Sequence, residues 1–109
     1  MVFTTGSGVL TDEDCFGHVR TLSTDPDFKP SMDQLADLTH VTEVRLTASG
    51  IHRMADRNPF GEGSRRAFVV TDDVAFGMAR MYQILTSDHA HDLTVFRDLA
   101  EARAWLGLE

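Results

Sequence analysis

Phe76, Gly77 and Arg80 carry the clearest suggestion of recognition chemistry in this chain. At about 100° per helical residue, Val74, Met78, Met81, Tyr82 and Leu85 converge on one inward stripe, whereas Phe76 projects almost opposite it. Arg80 follows one turn later on the Phe76 side, and Gly77 leaves the backbone bare beside both. An aromatic ring, a guanidinium and open backbone together suit an acidic or amphipathic ligand, or a protein partner. The plainer alternative is a neighbouring loop laid over Phe76, with Met78 and Met81 as core filler.

Five histidines raise the question of a metal. In His89-Ala90-His91, flanked by Asp88 and Asp92, an extended backbone would turn two imidazoles to one side with carboxylates nearby. His18, His40 and His52 lie on other elements at no signature spacing, so His89 and His91 are weak candidates and read more simply as a solvated loop. No cofactor is expected. Cys15 falls on an apolar helical stripe and reads as an inert thiol, and no serine, histidine and acid are spaced as a nucleophile with its base. Gly6-Ser7-Gly8 and Gly61-Glu62-Gly63-Ser64 match no phosphate-cradling fingerprint and read as plain turns. A non-catalytic protein is the expectation.

These residues sit in a chain of 109, enough for one domain, with no repeat or low-complexity segment. Seventeen carboxylates against ten Lys and Arg leave a net charge of −7, the wrong sign for a phosphate backbone, so nucleic acid is not an expected partner. One cysteine cannot form an internal disulfide, which points to a reducing compartment. The N-terminal residues have neither a basic nor an apolar targeting region, and no apolar run approaches a membrane span. The cytoplasm is the expected location, without membrane insertion.

The elements that must position the candidates alternate strand and helix. Val2 to Thr5 reads as a strand, Gly6-Ser7-Gly8 as a turn, and Thr11 as the N-cap of a helix with Asp12, Glu13 and Asp14 in its first turn. Cys15, Phe16, Val19 and Leu22 form its apolar stripe, and Pro26 requires it to stop. Met32 to Leu38 is a second, weakly patterned strand, and Thr39 to Leu46 a loop. A short helix from Thr47 to Arg57 buries Ala48, Ile51, Met54 and Ala55 and ends at Asn58-Pro59. Residues 61–64 then form an exposed loop. Ala67-Phe68-Val69-Val70, following Arg65-Arg66, has the continuous apolar character of a central strand covered on both faces. A third helix runs from about Asp73 to Thr86, capped by Thr71 or Asp72. After strand 93–96, Asp98 and Glu101 make a capping box for a last helix burying Leu99, Ala102, Trp105 and Leu106. Alternating strands and helices imply a layered α/β domain with right-handed crossovers.

Several segments together resemble a family: residues 8–14, 25–28, 37–42 and 73–82, and the last helix from Val95-Phe96-Arg97-Asp98 to Trp105-Leu106-Gly107. The run Phe76-Gly77-Met78-Ala79-Arg80-Met81-Tyr82 is the most specific. The chain is similar to the bacterial STAS-like family, also called SpoIIAA-like. That resemblance implies a small mixed sheet of about four strands with about four helices, and a binding or regulatory role. It also implies a small, apolar or anionic ligand, or a protein partner.

In anti-sigma-factor antagonists of the wider superfamily, a kinase modifies a serine at the start of the second helix. The matching stretch here, Glu43 to Ile51, offers Thr47 and Ser49, but Arg45 stands where the acid would fall and Thr47 serves more simply as an N-cap. The family fold opens with two strands, whereas the residues before Thr11 suffice for one, so the first strand is expected to be missing. The sheet edge so uncovered calls for a shielding loop or a second copy in a homodimer. The expected binding surface is Phe76, Gly77 and Arg80, with Tyr82 from the same run and the loop before the second helix. The alternatives are a phosphoregulated interaction domain and a metal-dependent enzyme using His89 and His91.

Overall fold

Short polar residues set where each helix begins, as their positions predict. In the computed structural model, which describes residues 1–88 and 91–108, Thr11 caps α1 (Asp12–Thr24). Its hydroxyl accepts from the Asp14 N–H while the Asp14 carboxylate accepts from the Thr11 N–H, a complete capping box. Thr47 caps α2 (Ala48–Asp56), Asp72 caps α3 (Asp73–Leu85) and Asp98 caps α4 (Leu99–Trp105). Asp98 accepts from the Ala100 N–H, and among the described residues Glu101 returns no bond, so the expected box at α4 is half made.

Strand lengths depart from expectation. β1 spans Val2–Thr11 and β2 spans Gln34–Arg45, so the expected turn at residues 6–8 and all but Leu46 of the expected loop at residues 39–46 belong to strand. β3 (Arg65–Val69) and β4 (Asp92–Phe96) are half that length, leaving the ends of β1 and β2 as a two-stranded overhang. A ribbon with little apolar cover has no need of alternating hydrophobic residues, which is why its sequence reads as loop. Its register shifts between Thr5 and Ser7 and again between Gly8 and Val9, and Gly8, at φ 67°, takes the left-handed conformation at the second shift.

The sheet is parallel throughout, in the order β1-β2-β3-β4, which corrects the expected mixed sheet. Each connection contains a helix that carries the chain back to the starting end, the geometry parallel pairing requires. Right-handed crossovers that always advance in one direction put their helices on one face. Accordingly Ile51, Met54 and Ala55 of α2 and Tyr82 of α3 pack with Leu93 of β4, and Cys15 and Phe16 of α1 join them. The opposite face is covered by α4, where Ala102 and Leu106 meet Leu35, Ala67 and Val69. Ala67, Val69 and Ala102 are fully buried, and their small size lets the helix approach closely. Arg65 stacks over the Trp105 ring at 4.3 Å and donates to the Trp105 carbonyl, fixing the end of α4.

Three inward assignments and one outward assignment are corrected. On α3 the buried stripe is Ala75, Ala79 and Tyr82, whereas Val74 is 57% exposed. Alanines at four-residue spacing fit the helical period as well as the larger side chains do, and only the nearby sheet selects between the two rotations. Ala48 and Leu99 also face outward. Ser64, at the end of the loop expected to be exposed, is buried and donates to the Met32 carbonyl at 2.7 Å. Among the described residues no helix is long and apolar enough to cross a membrane.

Candidate functional site

A cavity of about 500 Å³ lies between the sheet and α1, α2 and α3. Small residues on both layers leave this space, with Ala36 on β2 opposite Ala75 and Ala79 on α3. Phe68 and Tyr82 stack at 5.8 Å and close one end, while Leu38, Ile51 and Met78 supply apolar wall. The volume and the mostly apolar lining with a few converging polar groups fit a small-molecule site.

The polar groups form one chain across the cavity floor. Arg66, 4% exposed, donates from Nε to Gln34 Oε1 at 2.8 Å and from Nη1 to Asn58 Oδ1 at 3.1 Å and Tyr82 Oη at 3.0 Å. Gln34 Nε2 donates to Thr4 Oγ1 at 3.0 Å. The Thr4 hydroxyl also meets His18 Nε2 at 3.0 Å, which carries the chain on to the imidazole. Strand alternation explains the grouping, because Gln34 pairs with Arg66 across β2 and β3 and both point to the face that carries Phe68.

Burial governs the ionisation of these groups. It draws Arg66 below the ordinary guanidinium value, with Tyr82 acting against it. Burial, and then the charge of Arg66, lowers His18 below the ordinary histidine value of 6.5. The Cys15 thiol, on the wall, is pushed up to about 11 by burial and then by Asp14 and Asp12, so it stays protonated and a poor nucleophile at neutral pH.

The candidates read from sequence separate in space. Tyr82 lies in the cavity wall. Phe76 sits under the guanidinium of Arg97, 4.1 Å from the ring centre, and Arg97 is held by the Thr71 carbonyl and the Asp73 carboxylate. Gly77 and Arg80 are exposed on the outer side of α3, away from the cavity. Arg97 belongs to the connection between β4 and α4, so the side chain over Phe76 comes from a neighbouring loop.

Thr47 is exposed, and its hydroxyl is engaged twice, donating to Asp12 Oδ2 at 2.7 Å and accepting from the Gly50 N–H at 2.9 Å. Ser49, the second residue of α2, is exposed. His89 lies outside the described residues, and His91 contacts Asn58 through Nδ1 at 3.3 Å. Among the described residues no group of three His, Cys, Asp or Glu side chains is placed to hold a metal ion.

Arg66 and Gln34 are the residues that sequence reasoning misses, because Arg66 reads as a polar lead-in to a buried strand. The signal that finds it is parity: Arg66 lies two positions before Phe68 and must share its covered face. Asn58, expected to end α2 at a position where a left-handed asparagine is common, instead accepts from the Phe60 N–H and from Arg66, and no non-glycine residue among those described has positive φ. An Asx turn satisfies the chain reversal without that strain.

The fold thus defines a class: a four-stranded parallel α/β domain with three helices roofing a cavity and a fourth helix on the other face. A solved structure makes the class more particular. The chain is similar, at 20% identity and a TM-score of 0.58, over 94% of its own length and 80% of the other, to an uncharacterised protein of the DUF3478 family with a SpoIIAA-like fold from Shewanella loihica. The fold is therefore SpoIIAA-like, as the resemblance of its segments implies. No family model matches the sequence, and no curated protein does.

Proposed function

We propose that this protein is a non-catalytic, STAS-type binding module that holds a small molecule in the cavity beneath α1, α2 and α3. The observation that carries this reading is a largely apolar space of about 500 Å³ with one connected polar chain along its floor. A Cys15 thiol that stays protonated at neutral pH suits a positioning role better than nucleophilic chemistry. Organic extraction of the purified protein followed by mass spectrometry tests the reading. A stoichiometric small amphipathic molecule is expected, and it should be lost in Ala79→Phe, which fills the cavity. An extract identical for both proteins rejects it.

Phosphoregulation at the start of α2 fits this surface poorly. A phosphate on Thr47 would place new negative charge against the Asp12 carboxylate, 2.7 Å from the hydroxyl it would modify.

A second reading concerns partners. β1 forms one edge of the sheet over ten residues without a charged side chain or proline, and Phe3 on it is 64% exposed. Edge strands of soluble proteins are ordinarily blunted by charge or proline, and only the two register shifts serve that purpose here. A second copy of the chain, paired edge to edge about a two-fold axis, is the partner this strand suits.

A further inference from the structure

We infer that the cavity ligand carries a single negative charge, a carboxylate on an apolar body, and that Arg66 is its counter-ion. The inference rests on the cavity reading above and names the class of molecule that it selects.

Arg66 is a cation at 4% exposure, and among the described residues no carboxylate pairs with it. Its hydrogen-bond partners, Gln34, Asn58 and Tyr82, are all neutral acceptors. Among the described residues Nη2 has no hydrogen-bond partner. The rings of Phe60, Phe68 and Tyr82 stand 4.2, 5.1 and 5.3 Å from the guanidinium carbon and orient the fork without neutralising it. Buried charges in proteins are ordinarily paired, because removing an ion from water costs far more than neutral hydrogen bonds return. A chain with a surplus of acids that buries this one arginine among amides and aromatic rings has therefore kept the charge for something that enters.

The remaining lining sets the rest of the ligand. His18, Tyr82, Cys15 and Asp14 are the other ionisable residues around the cavity. Burial and the charge of Arg66 favour the neutral form of His18, Cys15 is protonated, and Asp14 is exposed with its carboxylate committed to the Thr11 N–H. One guanidinium balances one carboxylate, whereas a phosphate monoester would leave a second charge uncompensated. Beyond the polar floor, Leu38, Ile51, Met54 and Met78 offer only apolar contact, which suits an aliphatic chain.

The test is an NMR titration of the intact chain with octanoate, 1-octanol, octylamine and octyl phosphate, reading the methyl signals of Ile51, Met54 and Met78 and the guanidinium protons of Arg66. Octanoate is expected to bind at least about tenfold more tightly than 1-octanol, the scale of a hydrogen-bonded charge pair, and octylamine and octyl phosphate more weakly still. Octanoate should shift the Arg66 guanidinium protons, and 1-octanol should not. In Arg66→Met the two ligands should bind alike. If that variant does not fold, the guanidinium shifts in the unaltered protein decide. Equal affinity for octanoate and 1-octanol, or methyl shifts without guanidinium shifts, overturns the carboxylate inference and leaves the cavity reading intact. No methyl shift with any of the four overturns both.

Discussion

His18 and Arg66 stand at opposite ends of one hydrogen-bonded chain and respond to burial differently. Arginine keeps its charge and requires an environment that tolerates it, whereas histidine can give its proton up. Because the folded protein holds His18 below the ordinary value of 6.5, the unfolded chain binds the proton more readily as the pH falls. Stability from this residue is therefore complete above that value and declines as pH falls through it towards the lower folded one. Urea denaturation is expected to show a falling midpoint from about pH 7 to pH 5, with a flatter profile in His18→Gln, whose side-chain amide can still hydrogen-bond the Thr4 hydroxyl in either sense. An unchanged slope in that variant would assign the effect to another group. At this scale the sequence is legible where a residue acts on its neighbours, as Thr11 does. It is illegible at Arg66, whose partners Gln34 and Tyr82 are 32 and 16 positions away.

Helix starts were readable because a cap and its donor lie within three residues, but the ties between helices are not local. The Asp12 carboxylate, in the first turn of α1, accepts from both the N–H and the hydroxyl of Thr47, 35 positions on. It thereby sits at the N-terminus of α2, where the partial positive charge of the helix favours it. Gly50 makes room, since a Cβ there would stand 2.3 Å from that carboxylate. Asp12→Ala is expected to lower stability by about 1–2 kcal/mol in urea denaturation. Gly50→Ala should displace the same carboxylate, so the double variant should lose less than the sum of the two. Additive losses would show that the tie does not couple the helices. The long strands escape the sequence for the same reason: pairing between β1 and β2 imposes extension on glycine, threonine and histidine, which carry no periodic signal of their own.

For the whole molecule, the alternation of strands and helices conveyed the layered architecture, and the resemblance conveyed its SpoIIAA-like fold. The all-parallel order emerges only from the assembled sheet. The cavity likewise depends on small residues from β2 and α3 meeting at a distance, which no local pattern encodes. The uncharged edge of β1 belongs to this scale as well. Analytical ultracentrifugation is expected to show a dimer that Phe3→Lys converts to a monomer, with little change in thermal stability because that side chain is exposed. A monomeric unaltered protein at high concentration rejects the edge pairing.

The unbroken strand order also has a meaning in time. Synthesis runs from the N-terminus, so each strand emerges next to the place where its partner already waits, and the sheet can grow in the order in which it is made. Its two faces do not close together. The face bearing the cavity gains a helix with every crossover, whereas Leu35, Ala67 and Val69 stay bare until α4, which follows all four strands in the chain, folds across them. Docking of α4 is thus the step that turns a sticky, half-covered sheet into a closed one.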